Sequence, residues 1–180
     1  MIRTNKDELL IGVISDTHVP HKISEISQEV IGDFKRRKVD YVFHLGDFTS
    51  YQAYQKLATT FRPEHLIAIH GNMDFDKKLR RELPEKIEME ILGHKILMVH
   101  GMGGPDGIVD RLIKKLNLLS SKYDIVIFGH THRPLNEIRN EILFFNPGTT
   151  TKNYKDPSFS GSYGYLVISK NKIEPEIVYF

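Results

Sequence analysis

The sequence contains no cysteine, and its positive charges only slightly outnumber its negative charges. The lack of cysteine excludes a disulfide framework, a thiolate nucleophile, iron–sulfur clusters and zinc fingers built on sulfur. The 25 lysines and arginines against 23 aspartates and glutamates give a net charge of +2, too balanced for a nucleic-acid coat or a polybasic membrane protein. The nine histidines therefore direct attention to metal sites built from nitrogen and oxygen atoms.

Long hydrophobic runs are also missing. The first apolar run, Leu9–Ile14, follows a charged start and is too short for the core of a signal peptide. No stretch approaches the ~18 apolar residues of a membrane span. We therefore expect a cytoplasmic protein without a membrane partner. The length of 180 residues predicts a single domain over residues 1–180.

The N-terminal part of the sequence predicts alternating strands and helices. Continuous apolar runs predict strands at Leu9–Ile14, Tyr41–Leu45 and Leu66–Ile69, the first of them buried on both faces. Apolar residues at helical spacing predict one helix from Ile23 and another from Tyr51. This β-α-β-α-β order is typical of a parallel sheet with crossover helices.

The pattern then changes to hairpins and short strands. Lys86–Ile91 alternates with a period of two and predicts a hairpin with Lys95–Val99. A helix is predicted from Ile108 to Leu119, and the polar segment 149–162 has a length at which loops tend to be functional. Further strands are predicted at 124–128, 135–138, 142–145, 163–169 and 173–179. The sequence therefore predicts an α/β protein with more than one sheet.

Polar side chains directly follow five of the predicted strands. They are Asp16, His18, Asp47, Asn72, His100, His130 and His132. Ligands of open α/β sheets bind beyond the carboxyl ends of the strands, so we expect these side chains to share one rim. On an extended backbone, residues i and i+2 would project to the same side, as in Asp16 with His18 and in His130 with His132. Although a lone histidine is usually structural, this ordered set predicts a site for manganese, iron, zinc, nickel or cobalt rather than calcium.

These residues lie in motifs that resemble, in order, those of the calcineurin-like metallophosphoesterase superfamily. The motifs are Asp16-Thr17-His18, Gly46-Asp47, Gly71-Asn72-Met73-Asp74, His100-Gly101 and Gly129-His130-Thr131-His132. The short length and Asn146-Pro147-Gly148-Thr149 resemble its small prokaryotic phosphodiesterase branch, which also contains the related retromer scaffold subunit. The resemblance implies two mixed β-sheets packed as a sandwich flanked by helices. It also implies phosphodiester hydrolysis by a hydroxide bridging two divalent metal ions.

The resemblance also implies a role for each residue. It assigns Asp16, His18 and His132 to the first ion. It assigns Asn72, His100 and His130 to the second ion, and Asp47 to both as the bridging residue. The implied catalytic set is Asp47, Asn72, Asp74 and His100, and residues implied to orient ligands are Asp74 and Thr131. Two ions are expected, manganese first, with nickel, iron, zinc, cobalt or magnesium as alternatives.

Two positions depart from the family's pattern. Met73 stands where many members have a histidine that donates a proton to the leaving group, and Met102 stands where close relatives often have one near the phosphate. Asp74 is a poor substitute, because a carboxylate beside two cations should stay ionised. His21 could reach the rim from the first loop, and Lys77–Arg81 is either a solvated helix face or an attractor of anions.

The expected substrate is a small phosphodiester. The alternative is a protein-interaction scaffold like the retromer subunit, with a vestigial metal site. All seven ligand positions hold competent residues, which favours the enzyme. Specific nucleic-acid binding is not expected. For the quaternary structure, the expectation is a homo-oligomer, either a dimer or a tetramer.

Overall fold

The computed structural model describes residues 2, 4–120, 122–151 and 160–180. Within these residues the chain forms strands and α-helices in the alternating order that the sequence predicts. The strands are β1 (Glu8–Ile14), β2 (Tyr41–His44), β3 (Leu66–Ala68), β4 (Lys86–Ile91), β5 (His94–Val99), β6 (Ile125–Phe128), β7 (Leu135–Arg139), β8 (Ile142–Asn146), β9 (Ser162–Ser169) and β10 (Ile173–Tyr179). The α-helices are α1 (Gln28–Arg37), α2 (Tyr51–Phe61), α3 (Lys77–Glu82) and α4 (Ile108–Lys115).

The strands form two mixed five-stranded sheets. The first has the order β10-β9-β1-β2-β3 and the second the order β4-β5-β6-β8-β7. Strands β1, β2 and β3 are parallel, and so are β5, β6 and β8. Antiparallel pairing adds β9 and then β10 to the first sheet, and β4 and β7 to the two edges of the second. The predicted fold class, two mixed sheets flanked by helices, is confirmed.

The two sheets pack face to face and are covered by helices on their outer faces. In β6, Ile125 and Ile127 join the core between the sheets, whereas Val126 and Phe128 pack with α4 on the other face. The outer face of the first sheet packs against α1 and α2. Each buried aliphatic or aromatic side chain contributes roughly 1.5–3 kcal/mol, so continuous apolar strands stabilise both faces at once.

The carboxyl ends of the central strands of both sheets meet at one rim. In the first sheet, Leu45 N–H donates to Ile14 O (3.0 Å), and Ile69 N–H donates to His44 O (3.1 Å). In the second sheet, Gly129 N–H donates to His100 O (3.0 Å). These bonds continue the strand pairing into the loops, so the residues that follow the strands are held in a fixed order.

The first helix begins at Gln28 rather than at the predicted Ile23. The preceding chain is fastened to the loop after β2, because Val19 N–H donates to Phe48 O (2.9 Å). The hydroxyls of Thr49 and Ser50 both donate to Val19 O, at 2.9 and 2.8 Å. Because those contacts hold this part of the backbone at the rim, helical hydrogen bonding starts only further along the chain, at Gln28.

The fourth helix ends at Lys115, and its predicted extension to Leu119 is wrong. Asn117 has a φ of 50°, in the left-handed region that interrupts a helix. The following short turn buries Leu118 and leaves Leu119 69% exposed. Of the predicted loop 149–162, residues 152–159 lie outside the described part of the chain. Among the described helices, none is long and apolar enough to cross a membrane.

Candidate metal centre

The first cluster of polar atoms joins Asp16, His18 and His132. The Nε2 atoms of the two histidines are 3.1 Å apart, and Asp16 Oδ1 lies 3.2 Å from His132 Nε2 and 3.9 Å from His18 Nε2. Asp16 Oδ1 is buried and has no hydrogen-bond partner among the described residues. Two imidazole nitrogens that face each other beside an orphaned carboxylate oxygen fit a shared cation, because a buried charge needs a partner.

The second cluster joins Asn72, His100 and His130. Asn72 Oδ1 lies 3.0 Å from His100 Nε2 and 2.8 Å from His130 Nδ1. His100 Nδ1 donates to Leu45 O (2.6 Å), which leaves its Nε2 directed at the cluster with a free lone pair when the ring is neutral. The orienting bond to a backbone carbonyl is the arrangement that metal-binding histidines require.

Asp47 lies between the two clusters. Its Oδ2 is 3.8 Å from His18 Nε2, and its Oδ1 is 3.4 Å from His100 Nε2. Ligand atoms of Asp16, Asp47 and His100 also lie within 4.8 Å of one another. One carboxylate therefore faces both groups, as a residue shared by two ions must.

The backbone presents these side chains in a way that the sequence analysis did not predict. The residues Asp16, His18, Asp47, His130 and His132 all have positive φ, between 48° and 69°. The expectation of an extended backbone for the two residue pairs is therefore wrong. Left-handed conformations of non-glycine residues cost roughly 1–3 kcal/mol each and cluster at functional sites.

Gly46 is required by a close approach at the centre of the site. It has a φ of 96°, and a Cβ atom at this position would lie 2.6 Å from Gly71 N and 2.7 Å from His100 Nδ1. No side chain fits in that space. The absence of a Cβ lets the loops after β2 and β3 meet beside His100.

Asp74 is fully buried and ties the loop after β2 to the loop after β3. Its Oδ2 accepts from Asp47 N (2.8 Å) and Gly71 N (2.7 Å), and its Oδ1 accepts from Thr49 N (2.6 Å). Burial raises the pKa of Asp74, and the backbone hydrogen bonds oppose this effect. Its oxygens point into the loops, so Asp74 orients the segments that carry Asp47 and Asn72.

Asn146 holds the turn that carries the last two histidines. Its Nδ2 donates to Gly129 O (2.8 Å) and to Thr131 Oγ1 (3.0 Å), while its Oδ1 accepts from Gly148 N (2.8 Å). Thr149 then donates to Asp16 O (2.8 Å). The segment that begins at the last residue of β8, noted in the sequence only as part of a resemblance, therefore fixes His130 and His132 through Gly129 and Thr131.

The electrostatics of the cluster favour a cation among these residues. Burial raises the pKa of Asp16, but its close contact with the His132 imidazole and the charge of His100 outweigh it and lower the pKa to about 2. Burial lowers the pKa of His100, but its contact with Asp47 and the charge of Asp16 raise it to about 9. Burial lowers the pKa of His18 to about 4. Positive charge is thus stabilised where the carboxylates converge.

Lys22 is a cation near this site that the sequence analysis missed. Its backbone N–H donates to His18 O (2.9 Å), in the turn that follows the first motif. Partial burial lowers the pKa of Lys22, while the charges of Asp16 and Asp47 act against that shift. The ammonium therefore lies within electrostatic reach of both carboxylates. Its spacing of four residues from His18 was the available signal.

The other candidate residues have contacts of their own. Buried His44 accepts from Gly46 N and contacts Thr17 Oγ1 (3.1 Å), which is a structural role. His21 is exposed in the first loop. The cationic run forms α3, where Lys78 Nζ lies 3.9 Å from the centre of the Tyr51 ring. Arg80 donates to Asp74 O, so these two cations of the run contact neighbouring protein groups.

Comparison with known protein families shows which family this chain is similar to. Residues 9–171 match the calcineurin-like phosphoesterase superfamily domain. A probable metallophosphoesterase from Methanothermobacter thermautotrophicus is 34% identical over 171 residues, which cover 94% of this chain and 92% of the relative. A phosphodiesterase from Methanocaldococcus jannaschii is 30% identical over 148 residues, covering 77% of this chain and 82% of the relative.

Solved structures agree with this placement. A structure described as a novel archaeal phosphodiesterase superposes with a TM-score of 0.74 at 25% identity, covering 96% of this chain and all of the other. Vacuolar protein sorting 29 from Cryptosporidium parvum superposes with a TM-score of 0.69 at 21% identity over 97% of this chain and 99% of the other, a likeness of fold. From its motifs, its two sheets and its curated relatives, the chain belongs to the calcineurin-like phosphoesterase superfamily.

Proposed function

We propose that this protein is a metal-dependent phosphodiesterase that uses two divalent ions at the rim. The observation that carries the proposal is the buried Asp16 Oδ1, which faces two histidine Nε2 atoms and has no hydrogen-bond partner within the described part of the chain. The phosphodiesterase from M. jannaschii, 30% identical, supports the diester as substrate class. A vestigial site would have no reason to retain five residues with positive φ around a buried, unpaired carboxylate oxygen.

The assignment of ligands follows the atoms that converge. Asp16, His18 and His132 would hold the first ion. Asn72, His100 and His130 would hold the second, with Asp47 shared between them. When bound, two divalent ions supply Lewis acidity to a phosphoryl group and hydroxide from water near neutral pH. Manganese is the proposed ion, because it accepts mixed imidazole, carboxylate and amide ligands.

The chain's own residues fix the ligands and set the charge around the phosphate. Asp74 and Asn146 hold the loops in place through buried hydrogen bonds. Lys22 adds a positive charge on the side of His18. Met73 leaves the leaving group without an imidazole donor. The lack of that donor suits a monoanionic diester, whose attraction to the site needs few added cations.

A non-catalytic scaffold is the second candidate. The fold likeness to vacuolar protein sorting 29 is the observation that favours it. The complete ligand set favours the enzyme, because loss of catalysis would remove the reason to keep five residues with positive φ at the rim. An inability to bind metal would favour the scaffold.

Hydrolysis by the metal-loaded protein tests the proposed function. The protein is reconstituted with Mn²⁺ and assayed with bis(p-nitrophenyl) phosphate, then with cyclic nucleotides, dinucleotides, short nucleic acids and glycerophosphodiesters. Turnover of a diester that requires added metal is the expected result. Absence of turnover with each of Mn²⁺, Ni²⁺, Fe²⁺, Zn²⁺, Co²⁺ and Mg²⁺ would contradict the proposal.

We expect diesters to be preferred over monoesters. Monoester dianions usually rely on added cations or imidazoles near the phosphate, and Met73 and Met102 occupy two such positions. The kcat/KM for an aryl phosphodiester should exceed that for the matching monoester by at least about tenfold, equivalent to about 1.4 kcal/mol. Equal rates for the two esters, at the same pH and with the same metal, would count against this preference.

Lys22 gives that comparison an internal check. Its charge attracts a dianion more strongly than a monoanion, so Lys22→Gln should raise the diester-to-monoester ratio by about threefold. A threefold change in this ratio corresponds to about 0.7 kcal/mol, which is the interaction energy of two unit charges separated by solvent. Lys170→Gln, which removes an exposed cation paired with Asp7, is the matched control and should leave the ratio unchanged.

A further inference from the structure

The rim beside the second cluster carries exposed apolar side chains. Among the described residues, the exposed large hydrophobic side chains are Met73, Phe75, Leu119, Ile138 and Tyr179. Met73 is 37% exposed and Phe75 is 67% exposed. They flank the buried Asp74, directly after Asn72. Apolar exposure is thus placed next to the candidate metal ligands, where an exposed apolar surface often marks a binding site.

The segment that carries these two side chains is fixed by the site itself. Met73 N–H donates to Asp47 Oδ1 (2.8 Å), and Phe75 N–H donates to Met73 O (3.1 Å). Asp74 is held by three backbone amides, and its own carbonyl accepts from Arg80. Phe75 is therefore held close to Asn72 by the same hydrogen bonds that position Asp47. An anchored backbone lowers the entropic cost of presenting an exposed ring to a ligand.

The chemistry of the two side chains selects an aromatic group. A phenyl ring offers a flat face for stacking, and a thioether makes favourable contacts with aromatic rings. Stacking of a nucleobase on an aromatic side chain is tolerant of sequence and strong enough to change affinity by roughly tenfold. An alkyl or glycerol group would gain less from a ring than from branched aliphatic side chains. The phosphate of the same molecule would lie at the neighbouring ligand clusters.

We infer that Phe75, with Met73 beside it, forms a stacking surface for the base of a nucleoside phosphodiester substrate. The inference rests on the proposed function for the phosphate position. It adds the substrate class, which the metal ligands do not define. Phe75 is a specificity residue in this account and takes no part in bond cleavage.

Binding of two product-like probes tests the stacking surface directly. Adenosine 5′-monophosphate and ribose 5-phosphate carry the same phosphate and differ by the base, and calorimetry with the Mn²⁺-loaded protein gives both dissociation constants. The wild type should bind the adenine-containing probe about tenfold more tightly, and Phe75→Leu should remove most of that difference. Phe75→Tyr, which keeps the ring, should retain it. Leu119→Ala is the control, because Leu119 is 69% exposed and precedes β6, whereas the rim lies after the carboxyl end of that strand.

A pair of diesters gives a kinetic test of the same surface. Thymidine 5′-(p-nitrophenyl phosphate) and methyl p-nitrophenyl phosphate share a leaving group, so the base should raise kcat/KM about tenfold in the wild type and not in Phe75→Leu. Diester hydrolysis without a base effect in either experiment would overturn the inference and leave the proposed function standing. Base-dependent probe binding without hydrolysis of any diester would support the stacking surface and overturn the phosphodiesterase.

Discussion

Substituting Asp47 by asparagine is expected to weaken the binding of both metal ions together and to lower diester hydrolysis by about 10³-fold or more. The reason is its position, with one carboxylate oxygen 3.8 Å from His18 Nε2 and the other 3.4 Å from His100 Nε2. Asparagine keeps the shape but removes the charge and one of the two anionic oxygens. A loss of 10³ corresponds to about 4 kcal/mol, a size reasonable for charge stabilisation by metals.

The fold should survive this substitution. Asp47 Oδ1 accepts from Met73 N at 2.8 Å, and the amide oxygen introduced by Asp47→Asn can accept the same hydrogen bond. Thermal unfolding should therefore show an intact transition in this variant. Asp7→Asn, at a side chain that is 95% exposed and near the start of β1, is the matched control and should keep full metal content and activity.

A second variant separates the two ions. His132→Ala removes an imidazole from the first group only, 3.1 Å from His18 Nε2, and should weaken mainly one of the two binding events in a calorimetric titration. Asp47→Asn should affect both events. Equal weakening of both ions in the two variants would overturn the assignment of Asp47 as the shared ligand.

The second large effect concerns the leaving group. General acid catalysis typically contributes about 10²–10⁴-fold by protonating the departing oxygen. Met73 occupies the family's usual donor position, and a thioether has no proton to give. Asp74 does not replace it, because it is fully buried and accepts from three backbone amides. We therefore expect the rate of diester hydrolysis to fall steeply as the pKa of the leaving group rises.

Installing the missing imidazole should flatten that dependence. In Met73→His, rates for alkyl leaving groups should rise by about 10²-fold, and more than the rate for p-nitrophenolate, which needs little protonation. Met73 is 37% exposed, so a polar ring has room at the surface. A series of aryl and alkyl diesters, measured where chemistry limits the rate, provides the slope for each protein.

His21→Ala completes this experiment. His21 is exposed in the loop after the first motif and is the remaining histidine that could supply a proton from that side. A shallow dependence in the wild type that becomes steep in His21→Ala would identify His21 as the acid. That outcome would contradict the account of an uncompensated leaving group, whereas identical steep slopes in the two proteins would support it.

The fold could be predicted from the sequence because its strands have strong local signals. The run Leu9–Ile14 and the segment Ile125–Phe128 are apolar on both faces, and each is buried on both faces in the structure. The hairpin of β4 and β5 follows from the alternation in Lys86–Ile91. Helix ends were less predictable, because contacts distant in sequence decide them. Val19 delays α1 by pairing with the loop after β2.

The candidate site was predictable in composition but not in conformation. The order of the motifs places the polar residues after parallel strands, and the structure brings them together at one rim. The left-handed backbone of Asp16 and His18 has no signal in a pattern that suits an extended pair equally well. Lys22 was missed because its role depends on a turn that returns its side chain towards Asp16 and Asp47. The inward direction of Asp74 likewise depends on three backbone amides from two loops, the one after β2 and the one after β3.

Metal stoichiometry tests the central claim most directly. The protein is stripped with a chelator, reconstituted with Mn²⁺, and measured by elemental analysis together with calorimetric titration. Seven converging ligands predict close to two ions per chain at saturation, with both events weakened in Asp47→Asn. One ion or none per chain at saturation would contradict the two-ion phosphodiesterase and favour the scaffold.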